Sequence, residues 1–289
     1  MTCDVWFQKH TALLSKAGIG SARLDCLILL EDILHEERAY VLAHLDEPLT
    51  PNQLEQLDAQ VQRRLQHEPL AYIRGSVEFY GRRFYVNHDV LVPRPESETI
   101  ISLLLEIVAD QEGHTQIPMP TSEGYQPVIV DVGTGSGALA ITAKLEQPKA
   151  TVYATDISPA CLRTAQQNAE THAATVHCVN GDLLAPLKDT LGPSQNIVLL
   201  CNLPYVPDGY EINQAAAHEP KLALFAGKDG LDAYRHLFEQ ITDMVWRPKA
   251  ILTESLSFQH DELCSLAAHH GYQEVKRDGL VQTFLVDDL

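Results

Sequence analysis

The sequence predicts an α/β fold: a small helical domain, a β-hairpin linker, and a larger domain built on a mainly parallel sheet with helices on both faces. Three observations carry this reading. Apolar residues recur at spacings of three and four through residues 1–66. From Pro127 onward, short apolar runs alternate with helical patterns, the signature of strand–helix–strand units. A glycine-rich turn joins the first of those runs to the helix after it.

In residues 1–66, Ser21 precedes an apolar stripe of Leu24, Leu27, Ile28, Leu30 and Ile33. Thr50-Pro51-Asn52-Gln53 reads as a capping box with proline at the first helical position, and Leu54, Leu57, Val61 and Leu65 follow at helical spacing. Nothing in this segment is chemical in character, and packing or partner recognition suits it. Residues 67–95 change character. Ala71 to Val86 is rich in Tyr, Phe and Val, with Gly75 and Gly81 as turn signals, so a hairpin is expected. Val92-Pro93-Arg94-Pro95-Glu96 is stiff and extended, because each proline biases its predecessor away from the helical region.

Residues 96–289 form the sheet domain. A helix is expected over 97–109, and a polar loop over 111–126. Strands are expected at 128–131, 151–155, 175–179, 197–201, 250–254, 271–276 and 280–286, with helices at 136–145, 159–171, 231–245 and 260–270. The last two strands flank Asp278-Gly279 and are expected to pair antiparallel.

Composition narrows the function classes. The chain has 289 residues, 45% hydrophobic and 21% charged, with a formal net charge of −18. These values fit a globular protein with a substantial core and exclude a disordered, collagen-like or disulfide-stapled chain. Phosphate neutralisation drives most nucleic-acid binding, so this acidity disfavours a nonspecific DNA or RNA binder. The excess acid lies mainly in residues 96–289, while 67–95 is close to neutral. The six cysteines form no CxxC pair, and several lie in apolar runs where reduced cysteine acts as a small hydrophobe. The amino terminus does not read as a signal peptide, and no apolar run approaches the roughly 18 residues that span a bilayer. A reduced, cytoplasmic protein without membrane contact is expected. Thirteen histidines include no metal-binding pair beside a glutamate.

Two motifs carry chemistry. Asp131-Val132-Gly133-Thr134-Gly135-Ser136-Gly137 follows the first strand of the sheet and opens a helix, where glycines admit a ligand close to the backbone. No Lys-Ser/Thr follows, which excludes a P-loop, and Ala138 stands where a dinucleotide fingerprint needs its third glycine. The pattern suits S-adenosylmethionine better than NAD. Asp156 ends the second strand of the sheet, where a carboxylate accepts both ribose hydroxyls. Asp182, after the third, is positioned for an adenine amino group. Asn202-Leu203-Pro204-Tyr205 follows the fourth, at the carboxyl edge where open α/β sheets place their sites. The asparagine oxygen and a following carbonyl can grip both hydrogens of a planar –NH2 group, while Tyr205 stacks on it. The alternative is an ordinary strand-end turn.

Together these motifs resemble amino-group methyltransferases of the Rossmann-like, seven-stranded, class I S-adenosylmethionine-dependent type. Further stretches resemble the HemK/PrmC family. They are Glu68-Pro69-Leu70-Ala71-Tyr72-Ile73 with Gly75, Phe79-Tyr80-Gly81, Leu91-Val92-Pro93-Arg94-Pro95-Glu96-Ser97-Glu98, Glu219-Pro220-Lys221-Leu222-Ala223-Leu224, and Gly227-Lys228-Asp229-Gly230-Leu231-Asp232 with Tyr234-Arg235. The resemblance covers roughly residues 20–285. It implies methylation of the glutamine side-chain nitrogen (N5) in the Gly-Gly-Gln motif of class 1 peptide chain release factors, a step that supports translation termination. It also implies a monomeric enzyme with release factor recognition by residues 1–66. The implied cofactor contacts are Asp131, Gly133, Thr134, Gly135, Ser136, Gly137, Asp156, Ile157, Asp182, Leu183 and Asn202. The implied catalytic residues are Asn202, Pro204 and Tyr205. Substrate contacts add Leu203, Arg94 and Glu98, the last two alternatively read as a salt bridge fixing the hairpin to the core.

The chain departs from the family pattern twice. Leu203 replaces the usual second-position proline, a variant shared with adenine methyltransferases. Glu254-Ser255-Leu256-Ser257-Phe258-Gln259-His260 replaces a glycine-rich segment, at what reads as a peripheral strand end. Competing functions are N6-adenine methylation of DNA or RNA, which the charge opposes, and a silent S-adenosylmethionine-binding scaffold. An NAD dehydrogenase is weaker still.

Overall fold

A computed structural model describes residues 1–109, 126–193 and 195–287. Of the loop expected over 111–126, residues 111–125 lie outside the described residues. The chain divides into two compact units: Met1–Ser76 together with Ile212–His218, and Val77–Glu211 together with Glu219–Leu289.

The first unit holds α1 (Cys3–Lys16), α2 (Ala22–Leu34), α3 (Arg38–Ala43), α4 (Pro51–Leu65) and α5 (Leu70–Arg74). The capping box at the start of α4 is formed in full. The Gln53 N–H donates to Thr50 Oγ1 at 3.3 Å, and the Thr50 N–H donates to Gln53 Oε1 at 2.9 Å. Trp6, Phe7, Leu14, Leu29, Leu30, Leu57 and Val61 pack the core. The face of α2 differs from expectation: Leu24 is 47% exposed, while Asp25 is buried beside Cys26 and Leu29. The cause is an ion pair. Arg64 Nε of α4 donates to Asp25 Oδ2 at 2.7 Å. A carboxylate can take a core position when a charged partner is buried with it, and apolar spacing does not register that exchange.

The hairpin is shorter than expected. Residues 70–74 form α5, closed by Gly75 in the left-handed conformation. Only β1 (Ser76–Phe79) and β2 (Arg82–Tyr85) pair, around Tyr80-Gly81. Arg94 is extended as expected, and a 3-10 turn over Pro95–Ser97 leads into α6 (Glu98–Ala109).

The sheet contains β3 (Val128–Val132), β4 (Thr151–Asp156), β5 (His177–Asn180), β6 (Ile197–Cys201), β7 (Ala250–Glu254), β8 (Tyr272–Asp278) and β9 (Val281–Val286). The helices between them are α7 (Ala138–Glu146), α8 (Pro159–Thr171), α9 (Asp232–Asp243) and α10 (His260–His269). Strand order is β5-β4-β3-β6-β7-β9-β8. Pairing is parallel from β5 to β7, and β9 runs antiparallel to both β7 and β8. Strands β3, β6 and β7 are buried at every residue, because helices cover both faces. Alternation divides their side chains between two cores. Ile129, Val198, Leu200 and Leu252 face α6 and α7, whereas Val130, Leu199, Cys201 and Ile251 join Leu237, Phe238 and Leu263 of α9 and α10. Strand β5 sits two residues later than expected at its start, and β8 extends to Asp278 with a bulge between Glu274 and Lys276.

Thr50→Ala is expected to remove the reciprocal cap and lower the stability of the helical unit by about 1 kcal/mol, read from denaturant unfolding. An unchanged midpoint would mean that packing alone sets the start of α4.

Candidate active site

β3 is flanked by β4 on one side and by β6, reached by the crossover from β5, on the other, and this reversal of strand order opens a crevice at their carboxyl ends. A cleft of about 270 Å³ lies there, lined by the ends of β3, β4 and β6 and by Asp89, Leu91, Pro220 and Leu222 from the loops above them. Gly133, Gly135, Asp156, Ile157, Asp182, Leu183, Asn202, Leu203 and Pro204 all line it, so most of the sequence-derived site is brought together.

The glycine turn is built for close approach. A Cβ on Gly133 would meet Leu203 Cδ2 at 3.1 Å, and one on Gly137 would meet Ala165 Cβ at 3.0 Å, both at positive φ. Gly135 faces open space instead. Its N–H donates to Asp156 Oδ2 at 2.9 Å, while the Gly133 and Thr134 N–H groups donate to the Thr155 carbonyl, each at 2.9 Å. Four expected cofactor contacts, Asp131, Thr134, Ser136 and Gly137, do not line the cleft. Asp131 works behind it. Its Oδ2 accepts from Thr134 Oγ1 at 2.6 Å and from the Ala140 N–H at 3.0 Å, clamping the turn to the first turn of α7. Burial pushes its carboxyl up to about 7 against those two bonds.

Asp156 presents its carboxylate to the cleft from the end of β4. Oδ1 accepts the Ser158 N–H at 2.8 Å, and burial raises its pKa against the Ser158 and Gly135 bonds. Asp182 is half-exposed, and its Oδ2 accepts from His236 Nε2 at 2.7 Å and Gln240 Nε2 at 3.3 Å. The bond to Asp182 raises the His236 pKa. The sequence reading missed His236 and Gln240; their four-residue spacing on the polar side of α9 was the available signal.

After β6, Asn202 Nδ2 donates to Ser97 Oγ at 2.8 Å. Among the described residues, neither Asn202 Oδ1 nor the Pro204 carbonyl accepts a hydrogen bond, so two acceptors two residues apart stand free. Leu203 is buried against Gly133. Tyr205 does not line the cleft. Its hydroxyl donates to Glu254 Oε1 at 2.9 Å, and its carbonyl accepts from Gln259 Nε2 at 2.8 Å. Burial and the neighbouring Glu254 carboxylate push the Tyr205 hydroxyl well up. Gly230 sits against the same carbonyl, where a Cβ would come within 2.2 Å of it. The Glu254–His260 segment is therefore not peripheral: β7 adjoins β6, and its end holds the Asn202–Tyr205 segment in place. The missed signal was an acid closing an otherwise apolar, buried strand.

Arg94 and Glu98 are not in the cleft. Arg94 pairs with buried Glu219 at 2.5 Å, and Glu98 Oε1 accepts the Tyr80 N–H at 2.8 Å. The first ties the extended Pro93–Pro95 segment to the Glu219 loop, and the second fixes the hairpin turn to α6. Among the described residues there is no metal-binding cluster of His, Cys, Asp and Glu, and no helix long and apolar enough to cross a membrane.

Comparison with known proteins gives two family matches: the PrmC N-terminal domain over residues 6–75, and the Methyltransferase small domain over residues 117–219. A release factor glutamine methyltransferase of Coxiella burnetii is 34% identical over 255 residues, covering 88% of this chain and 86% of that protein. A bifunctional methyltransferase of Rickettsia felis is 32% identical over 88% of this chain, but the chain spans only 51% of that relative. The chain thus spans about half the length of that relative and of its Rickettsia typhi and Rickettsia conorii counterparts. The crystal structure of the hMettl16 catalytic domain in complex with MAT2A 3'UTR hairpin 1 superimposes with a TM-score of 0.55 at 10% identity, over 96% of this chain and 91% of that one. The fold is that of class I methyltransferases.

The raised Asp131 carboxyl has a measurable consequence. Between about pH 4, where an unfolded aspartate titrates, and about pH 7, the folded chain retains a proton that the unfolded chain releases. Its contribution to stability therefore falls as pH rises through that window. Asp131→Asn keeps an oxygen acceptor for Thr134 and Ala140 and abolishes the titration. The stability of the native chain relative to this variant is expected to decline across the window and level off above it, as measured by unfolding at a series of pH values. A constant difference would show that the carboxyl is not raised.

Proposed function

We propose a function from the premise that the chain belongs to the release factor glutamine methyltransferase family: S-adenosylmethionine-dependent methylation of the side-chain nitrogen of the glutamine in a Gly-Gly-Gln motif. The observation that supports it best is the pair of free acceptors, Asn202 Oδ1 and the Pro204 carbonyl, at the rim of a cleft suited to an adenosyl group. The fit of the cofactor rests on the open face at Gly135, the carboxylate of Asp156, and the apolar walls of Leu91, Ile157 and Leu183. When bound, S-adenosylmethionine supplies an electrophilic methyl group on a sulfonium.

The chain's own residues do the remainder. Asp156 accepts from the ribose hydroxyls, and Asp182 Oδ1 is left for the adenine amino group while His236 holds Oδ2. Asn202 Oδ1 and the Pro204 carbonyl accept the two N–H groups of the substrate amide. An amide nitrogen is a poor nucleophile because its lone pair is delocalised. Gripping both hydrogens turns that lone pair toward the methyl and stabilises the positive charge that gathers on nitrogen. With S-adenosylmethionine bound, the nitrogen would take the methyl group while the sulfonium leaves as a thioether, and would then lose one proton to water. Tyr205, held by Glu254 and Gln259, braces the segment. Arg94 and Glu98 support the walls through their own partners.

Leu203 does not favour an adenine substrate, since it packs on Gly133 and leaves both acceptors in place. The partner is a class 1 release factor, met in the cytoplasm by the enzyme as a monomer. The helical unit contributes recognition. Steering of basic surface toward the acidic residues of the sheet unit assists the encounter.

The direct test is mass spectrometry of a release factor incubated with the protein and S-adenosylmethionine. The Gly-Gly-Gln glutamine should gain the mass of one methylene, and an unmodified glutamine refutes the assignment. Asn202→Ala should lower turnover by about 100- to 1000-fold with cofactor affinity little changed, and equal loss of both would show the site to be misassigned. Asp156→Ala should weaken cofactor binding first, as measured by calorimetry; native affinity in that variant removes its ribose role.

A further inference from the structure

We propose that Ser97 is a positioning residue for Asn202, fixing its side-chain amide with the oxygen toward the cleft. The inference rests on the function proposed above, because it takes Asn202 to meet the substrate amide.

An asparagine side chain has nearly the same shape in both flip states and opposite polarity in each. With Oδ1 forward it accepts from a substrate –NH2. With Nδ2 forward it sets N–H against N–H, and the grip is lost. The bond from Asn202 Nδ2 to Ser97 Oγ at 2.8 Å holds the productive state. The Ser97 oxygen accepts from Nδ2 and leaves Oδ1, which has no partner among the described residues, as the free end of the amide. Beside it, Glu254 Oε1 accepts a hydrogen bond from the Tyr205 hydroxyl at 2.9 Å, so the segment that carries Asn202 is also anchored from β7.

The three residues come from separate parts of the sheet unit: Ser97 from the turn before α6, Asn202 from the end of β6, and Glu254 from the end of β7. Ser97 is 3% exposed and Glu254 1%, so bulk water does not compete for these bonds.

The test compares Ser97→Ala and Ser97→Thr with the native full-length chain, using S-adenosylmethionine and a class 1 release factor. Ser97→Ala should lower kcat on the order of 10- to 100-fold, the size of effect seen when a reacting group is slightly misplaced. KM and cofactor Kd should stay within about twofold, and Ser97→Thr, which restores the hydroxyl, should recover most of kcat. The Asn202 side-chain NH2 resonances, read by NMR without substrate, should shift in the alanine variant and stay near native in the threonine variant. A native kcat in Ser97→Ala, unmoved Asn202 resonances, or a cofactor Kd that weakens in parallel with kcat each overturns the positioning role. Should Ser97→Ala not fold, near-isosteric Ser97→Cys, a poor acceptor, is held to the same outcomes. If the native protein transfers no methyl group, the proposed function fails, and the Asn202 resonances still decide the role of Ser97.

Discussion

The parallel pairing of β3 with β6 is the constraint on which the rest depends. Its register sets Val132 beside Cys201, so the residues that follow, Gly133 on one strand and Asn202-Leu203 on the other, emerge at the same edge. A slip of one residue would exchange the two faces of β6 and send Asn202 out of step with the glycine turn. The register is secured by burial, since all five residues of each strand are covered and alternate between two apolar cores. The absence of a side chain at Gly133 then lets Leu203 close to contact distance. Site and core are thus one packing problem.

Buried carboxylates fix segments in both units. Asp131 clamps the turn to α7, Asp25 anchors α4 to α2 through Arg64, Glu219 accepts Arg94, and Glu254 takes the Tyr205 hydroxyl. Removing a carboxylate from water is costly unless its charge is met, and here it is met by a backbone N–H, a guanidinium or a hydroxyl. The net charge of −18 therefore has two parts with distinct meanings. Some acids sit on the surface, and some are internal struts that hold one segment to another.

Much of this was legible in the sequence, and the reasons are local. The strands at 197–201 and 250–254 and the helix at 159–171 were readable to the residue, because uninterrupted apolar runs and a Ser-Pro helix start leave little freedom. The cleft residues from Gly133 to Pro204 were readable because chemistry and turn geometry coincide in short motifs. What stayed hidden was pairwise. The inward turn of Asp25 requires Arg64, 39 residues away, and the Ser97–Asn202 bond spans 105. Arg94 and Glu98 looked like substrate contacts because charge beside a motif suggests function, whereas each is satisfied by a partner that no local pattern reveals. The hairpin began late for a similar reason: Leu70–Arg74 has the composition of a strand, yet helical hydrogen bonds and a left-handed Gly75 claim it.

The two rims of the sheet are guarded differently. Strand β5 is four residues long, with His177 and Asn180 exposed, and the opposite rim, β8, carries a bulge and the charged run Lys276-Arg277-Asp278. Short length, irregularity and charge are the features that stop a foreign strand from docking along a sheet. These rims therefore disfavour a strand from another chain prolonging the sheet. Among the described residues the sheet has seven strands.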